Sequence, residues 1–246
     1  MAKHNKWSKI KHRKAVVDKR RGRVWTKISK ALMVAAKHAG PDPEANLTLR
    51  YAMDEARYAN MPRDTVERAI QKGAGGGDTS QFEVMRYEGY APGGIAVIVD
   101  ALTDNRTRTI AMVREVFEAH GGNVGSPGCV AYLFQSRGQV VVVGADLSDD
   151  RIIDVALEAG AADVISPDPL PDEGDEAGWT ILTGVSGFPA VKAAIEKAGL
   201  PIAEASLAMI PEATIGVSEQ QADDIEALTD ALEDLDDVQK VYTNAQ

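Results

Sequence analysis

Residues 139–166 read QVVVVGADLSDDRIIDVALEAGAADVIS, and the spacing of their apolar side chains changes twice. A run of valines predicts a buried strand, a repeat of three and four positions predicts a helix, and a second apolar run predicts another strand. A similar pattern continues to residue 209. The predicted strands lie at 139–144, 163–166, 179–183 and 202–209, and the predicted helices at 147–159 and 189–198. This β-α-β-β-α-β order predicts a ferredoxin-like α/β domain and an α+β fold class.

Predicted elements on both sides of this unit lack partners of their own. They are a strand at 95–102, a helix at 105–120, an extended segment at 129–134, a strand at 214–217, a helix at 219–235 and a strand at 238–243. Together they would complete a second ferredoxin-like sheet. We therefore predict a discontinuous α/β domain of residues 79–137 plus 208–246, into which the domain at 138–207 is inserted. Three contiguous domains are the alternative.

Residues 1–78 predict an all-helical domain that ends in a glycine-rich linker. The clearest helix covers residues 21–39, where apolar side chains and cations occupy separate stripes. Gly40 ends it, and further helices are predicted at 42–60 and 62–73. We interpret residues 73–78 as a linker because no Gly-Lys-Ser/Thr follows, as a phosphate-binding loop would require.

Positive charge is concentrated at the N-terminus. Residues 1–37 contain 13 Lys or Arg and one acid, Asp18, for a formal charge of +12, whereas the whole chain carries −10. The remainder therefore sums to −22. Such a basic segment predicts contact with phosphate, because each cation near a phosphate releases a condensed counterion. The acidic remainder would be repelled by the same polyanion, which favours one defined docking surface.

The candidate nucleic-acid-binding residues are the cations of this segment, two ring side chains among them, and two arginines at a later helix start. They are Lys3, Lys6, Trp7, Lys9, Lys11, His12, Arg13, Lys14, Lys19, Arg20, Arg21, Arg23, Lys27, Lys30, Arg106 and Arg108. The cations would hold phosphates, while Trp7 and His12 could stack on bases. For Trp7 we favour packing inside the helical domain, because large aromatic side chains dominate small cores.

Arg106 and Arg108 begin a predicted helix, where the helix dipole disfavours cations. Their placement suggests an anionic partner. A helix capped by Asp104, with both arginines in solvent, explains the sequence equally well.

No catalytic or metal site is predicted. The four histidines lie at scattered spacings, and a single cysteine, Cys129, excludes an internal disulfide and a multi-thiolate metal site. No nucleophile has a plausible base, so we expect no enzymatic activity, cofactor or small-molecule substrate. The apolar runs are too short to span a bilayer, and the N-terminus has no apolar signal region. We therefore expect a cytoplasmic protein without a membrane partner.

A series of motifs runs through the chain in order. They are the opening MAKHNKWSKIKHRKAVVDKRRGRVWTK, GPDPEAN (40–46), NMP (60–62), ERAI (67–70), YEGY (87–90), LTDNR (102–106), LDDVQ (235–239) and VYTN (241–244). Together they resemble the YebC/PmpR family, which includes the mitochondrial translational activator of cytochrome c oxidase. The chain departs from the usual family pattern at Lys3, Asn5 and Leu47-Thr48, and none of these departures removes a basic residue from the N-terminal segment.

The resemblance implies a helical N-terminal domain and two α/β domains, one inserted in the other. It also implies a cytoplasmic, non-enzymatic regulator of gene expression. Members are described as DNA-binding transcriptional regulators, and others act in translation at the ribosome. The stripe of Arg23, Lys27 and Lys30 lacks the Asn and Gln that read adenine edges, so it predicts phosphate binding with little sequence reading. DNA and ribosomal RNA both stay open as partners, and shape and phosphate recognition suit structured RNA.

Overall fold

The structure is a computed structural model that describes residues 6–75, 82–145, 147–167 and 177–246, with side chains from Gly22 onward. Its fold class is α+β, with seven α-helices and two four-stranded sheets in this part of the chain. One compact unit comprises Arg20–Gln135 and Pro211–Gln246, and the other is built around Ser136–Ile210. From Arg20 onward the predicted helical domain shares one unit with the predicted discontinuous domain, whereas the predicted insertion lies in the other unit, to which the residues before Arg20 are also assigned.

The elements alternate between helices and strands after an all-helical beginning. They are α1 (Lys6–Ala39), α2 (Leu47–Tyr58), α3 (Arg63–Ala74), β1 (Glu83–Ala91), β2 (Ile95–Thr103), α4 (Arg106–Ala119), β3 (Asn123–Val124), β4 (Phe134–Gly144), α5 (Asp149–Glu158), β5 (Asp163–Ile165), β6 (Ala177–Thr183), α6 (Phe188–Lys197), β7 (Ile202–Pro211), α7 (Glu219–Glu233) and β8 (Val238–Thr243). None of the helices in the described part is long and apolar enough to cross a membrane.

The inserted unit has the ferredoxin-like element order β4-α5-β5-β6-α6-β7. Its sheet has the strand order β5-β6-β4-β7, in which β4 and β5 both run antiparallel to β6. The side chain of Trp179 is fully buried here, and its indole N–H donates a hydrogen bond of 2.8 Å to Asp149. The alternation of valine-rich strands and amphipathic helices thus predicts the elements of this unit correctly.

The other sheet has the strand order β3-β1-β2-β8, and all three neighbouring pairs are antiparallel. Helices α4 and α7 pack on it around a cluster of buried apolar side chains. The largest members are Tyr87, Phe117, Leu228 and Leu232. Because α7 and β8 follow the insertion, residues far apart in sequence complete one core.

Two elements of this sheet differ from the sequence prediction. The pattern does not predict β1, which carries Arg86 and Glu88 between apolar residues yet pairs with β2 along its whole length. The predicted strand at 214–217 is wrong, since that segment makes only a single bridge between Ile215 and Ala245. The sheet instead contains β1, which forms a hairpin with β2.

The predicted extended segment at 129–134 is a turn followed by a 3-10 helix at Ala131–Leu133. Its backbone bends around the buried carboxylate of Glu88, which accepts three backbone hydrogen bonds. The donors are the N–H groups of Gly128, Val130 and Ala131, each at 2.8 Å. Burial alone would raise the pKa of Glu88, but these bonds and the charge of Arg86 lower it below the ordinary value. A buried anion therefore replaces a neighbouring strand as the partner of this backbone.

The helical part has its own core between α1, α2 and α3. Its buried members are Ile28, Leu32, Ala35, Ala36, Leu49, Ala52, Ala56, Met61 and Ala69. Gly73, predicted to start the linker, lies within α3, and residues 76–78 of that linker lie outside the described residues. A Cβ at Gly73 would clash with the backbone oxygen of Met33. Glycine at this position allows α3 to approach α1 closely.

The second helix begins later than predicted because Asn46, not Asp42, is its N-cap. The side-chain oxygen of Asn46 accepts a hydrogen bond from the N–H of Leu49 at 3.0 Å. Its side-chain nitrogen donates to the backbone oxygens of Ala35 and Gly40, each at 2.8 Å. This buried amide therefore joins the end of α1 to the beginning of α2.

Candidate nucleic-acid interface

The predicted basic segment belongs to one continuous helix. Helix α1 has 34 residues and begins at Lys6, well before the predicted start at residue 21. At 1.5 Å per residue it is about 51 Å long. Its C-terminal half is anchored by Ile28 and Leu32 in the helical core, and it ends at Ala39, directly before Gly40, which has a φ of 87°. The N-terminal half, residues 6–21, contains eight Lys or Arg and one acid.

The junction of α7 and β8 contains an acidic corner. It consists of Glu233, Asp234, Asp236 and Asp237. The first described cation of α1, Arg23, pairs with Asp234 across 2.8 Å, and both side chains are about half exposed. Solvent-exposed pairs of this kind contribute little to stability, about 0–1 kcal/mol.

Two further cations of α1 reach backbone oxygens of the acidic corner. The Lys27 ammonium donates to the backbone oxygen of Glu233 at 2.5 Å, and the Lys30 ammonium donates to that of Asp236 at 3.0 Å. Helix α7 has no basic residue in its own last turn. Lys27 therefore supplies the positive charge that the C-terminal end of a helix dipole favours.

Asp237 is the most connected residue of the acidic corner and is only 6% exposed. One carboxylate oxygen accepts hydrogen bonds from Arg108 at 2.6 Å and Thr109 at 2.8 Å, and the other lies 3.3 Å from the Lys30 ammonium. Burial alone would raise the pKa of Asp237, but the hydrogen bonds from Arg108 and Thr109 and the charge of Lys30 lower it below the ordinary value. The carboxylate of Asp237 thus connects α1, α4 and β8.

The two remaining candidates, Arg106 and Arg108, lie in the first turn of α4. Asn105, not Asp104, caps this helix, and its side-chain oxygen accepts from the N–H of Arg108 at 3.0 Å. The Arg108 guanidinium instead donates to Asp104 at 2.7 Å as well as to Asp237. Arg106 pairs with Glu83 of β1. The anions that these arginines contact in the structure are carboxylates of the same chain.

The structure describes five of the sixteen candidate residues in full. Lys3 lies outside the described residues. The side chains of a further ten also lie outside them: Lys6, Trp7, Lys9, Lys11, His12, Arg13, Lys14, Lys19, Arg20 and Arg21. Arg23, Lys27, Lys30 and Arg108 gather at the acidic corner, whereas Arg106 does not. Their binding to nucleic acid stays a prediction.

Sequence reasoning misses Asp237 as a site residue. The acids of α7 are typical of a wet helix face, and many of them, such as Asp223 and Asp224, are exposed. The sequence feature that could have indicated Asp237 is its position, because Asp236 and Asp237 lie in the short connection between an amphipathic helix and a strand. Of these two acids, Asp237 is buried and hydrogen-bonded, whereas the side chain of Asp236 is exposed.

Fold and charge together define a class: a helical domain with a strongly basic first helix, joined to two α/β domains of which one is inserted in the other. Residues 5–76 match the model of the TACO1/YebC protein N-terminal domain, and residues 82–245 match that of the TACO1/YebC second and third domain. The chain belongs to the TACO1/YebC family. This confirms the resemblance seen in its motifs.

The similarity to individual proteins runs from end to end. A protein of Polynucleobacter asymbioticus is 49% identical over 100% of this chain and 99% of its own length. One of Desulforamulus reducens is 42% identical over 99% of this chain and 98% of its own length. Both are named "probable transcriptional regulatory protein". The crystal structure of a conserved hypothetical protein from Aquifex aeolicus has a TM-score of 0.83 and 42% identity, with 100% of this chain and 95% of that chain covered.

Proposed function

We propose that this protein is a non-enzymatic regulator of gene expression that binds nucleic acid through the basic N-terminal half of α1. The observation that supports this most is the continuity of α1, which puts the eight cations of residues 6–21 on one helix with a single acid. Such a helix gains affinity for a phosphate backbone from counterion release. Duplex DNA is the first candidate target, since the relatives are named probable transcriptional regulatory proteins.

A ribosome-bound translation factor is the second candidate. The feature that favours it is the composition of α1, which contains no Asn or Gln from Lys6 to Ala39. Those side chains are the usual readers of adenine edges in the major groove. A helix rich in phosphate-binding cations but without these adenine readers suits structured RNA, which is recognised largely by shape and backbone.

The test compares binding of a short random-sequence DNA duplex with co-sedimentation on purified ribosomes, each across a salt series. The variant Arg20→Ala/Arg21→Ala removes two cations from the basic half of α1. The matched control, Arg68→Ala/Lys72→Ala, removes two exposed cations from α3 of the same domain. Loss of two phosphate contacts should flatten the plot of log K against log salt by about two units, at roughly 0.9 per contact.

Each outcome discriminates between the candidates. Salt-sensitive binding to DNA but not to ribosomes, lost in Arg20→Ala/Arg21→Ala alone, supports a transcriptional regulator. Co-sedimentation with ribosomes that the same variant abolishes supports a translation factor. Equal salt slopes in both variants, or no binding to either probe, would overturn the proposal.

A further inference from the structure

The helical part and the sheet of the first unit have cores formed from different residues. Ile28, Leu32 and Leu49 belong to the helical core, whereas Phe117 and Leu228 belong to the core between the sheet and its helices. Each core buries its own apolar side chains. The contacts that α1 makes with the acidic corner are therefore an addition to two existing cores, and their chemistry is polar.

On the α1 side, these contacts use cations alone. Arg23, Lys27 and Lys30 recur at intervals of three or four residues, which places them along one face of the helix. They meet carboxylates and carbonyl oxygens of the acidic corner between 2.5 and 3.3 Å. A phosphate backbone offers the same kind of acceptor, a row of anionic oxygens, to the same donors.

Burial of the contacts is graded along α1. The pair of Arg23 with Asp234 is about half exposed on both sides, whereas the side chains of Lys30 and Asp237 are 17% and 8% exposed. Arg23 also lies closest along the helix to the basic residues 6–21. A polyanion bound to that half would therefore reach the weakest contact of the acidic corner first.

We propose that the acidic corner is an internal competitor for nucleic acid, which occupies the cationic face of α1 until a phosphate backbone displaces it from the Arg23 end. The inference rests on the proposed nucleic-acid function. In the absence of a polyanion, the carboxylates of Asp234 and Asp237 and the backbone oxygens of Glu233 and Asp236 hold this face and weaken non-specific binding. When a polyanion occupies residues 6–21, phosphates replace Asp234 first, and the contacts of Lys27 follow.

The test removes two of the four carboxylates of the corner without altering its buried member, Asp237. Asp234→Asn/Asp236→Asn removes two exposed carboxylates at the corner, and Asp223→Asn/Asp224→Asn removes two exposed carboxylates earlier in α7. Both variants change the net charge equally, so general repulsion of the polyanion falls by a similar amount. The probe is a fluorescent random-sequence DNA duplex, measured by anisotropy at low salt, with a structured RNA hairpin as a second probe.

We expect the corner variant to bind about two- to fivefold more tightly than the control variant, the range set by the loss of one exposed ion pair. Adding Arg23→Gln to the corner variant should remove most of this gain. Hydrogen exchange at residues 233–240 should also rise when the wild-type protein is saturated with the probe, because the corner is released.

The two proposals fail in different ways. If Arg20→Ala/Arg21→Ala weakens binding but the corner and control variants bind equally, the internal competitor is wrong and the proposed function stands. If no form of the protein binds either probe, both are wrong. Unchanged hydrogen exchange at the corner under saturation would also overturn the competitor.

Discussion

Replacing Asp237 by asparagine tests whether its carboxylate holds α1, α4 and β8 together. The substitution keeps the size of the side chain but removes the charge that faces Lys30 and Arg108. It also replaces one carboxylate oxygen by an NH2 group, although two threonine hydroxyls and two cations all approach this carboxylate as donors. At most one oxygen of the new side chain can accept these donors.

The magnitude follows from burial. Removing one partner of a buried ion pair costs about 3–5 kcal/mol, but the Arg108 side chain is 46% exposed and can recover hydration. Lys30, which is 17% exposed, recovers less. We therefore expect Asp237→Asn to lower the free energy of unfolding by about 2–3 kcal/mol at neutral pH. The control Asp236→Asn, an exposed neighbour with the same change of charge, should stay within about 0.5 kcal/mol of wild type.

The pH dependence gives a second, independent readout. The pKa of Asp237 is lower in the folded protein than the ordinary value of 3.8, so its stabilising contribution is complete above about pH 4. It is lost as the pH falls through the lower folded-state pKa. In urea unfolding followed by tryptophan fluorescence and circular dichroism, the gap between wild type and Asp237→Asn should be constant from pH 7 to 5 and narrow below about pH 4. Equal stabilities at neutral pH, or a gap that widens in acid, would refute the reasoning.

Four further substitutions probe local structure. Glu88→Gln should cost about 2–3 kcal/mol in urea unfolding, because a neutral amide oxygen replaces a carboxylate that accepts three backbone N–H groups. Asn46→Ala should cost about 2 kcal/mol in the same measurement, since it removes a helix cap and two donated hydrogen bonds. Gly73→Ala should lower the melting temperature through an overpacking cost of about 1–3 kcal/mol against Met33, whereas Gly22→Ala, which meets nothing within 4 Å, should raise it.

Each of these substitutions has an internal comparison. Glu115→Gln changes an exposed carboxylate on α4 and should leave stability unchanged, so an equal loss in both glutamine variants would contradict the role given to Glu88. Asn46→Ser retains a capping oxygen without placing a charge against the backbone oxygens of Ala35 and Gly40, and should recover part of the loss. A Gly73→Ala protein as stable as Gly22→Ala would show that α3 and α1 do not approach as closely as described.

The sequence predicts elements well where periodicity is strong and neighbours are local. The inserted unit is the clearest case, because each of its strands and helices buries a regular apolar pattern. The sequence does not predict β1, because the charged Arg86 interrupts its apolar pattern. In the fold, Arg86 forms a bidentate pair with Asp100 on the neighbouring strand. That pairing depends on the hairpin and cannot be read from the segment itself.

The prediction of an extended segment at 129–134 is wrong for a different reason. Its apolar run predicts a strand, but Glu88, some forty positions earlier, satisfies its backbone N–H groups in a bent conformation. The candidate site shows the same limit. Composition identifies α1 as a cation-rich helix, yet the partners of Lys27 and Lys30 lie more than two hundred positions away. Only the completed fold brings them together.

These contacts give part of the acidic surplus a local role in addition to its long-range repulsion of polyanions. Taken from composition, the acidic surplus of the chain can only repel a polyanion from a distance, and its effect would be uniform along α1. In the folded protein, part of that surplus is placed against Arg23, Lys27 and Lys30, where it acts at contact distance on one half of the helix. A competitor at contact distance discriminates between ligands, because a ligand must supply several phosphates in a row to replace several oxygens of the corner. Short or weakly charged anions could not do so, and the acidic corner would therefore raise the charge density that a nucleic acid must present before α1 binds it along its full length.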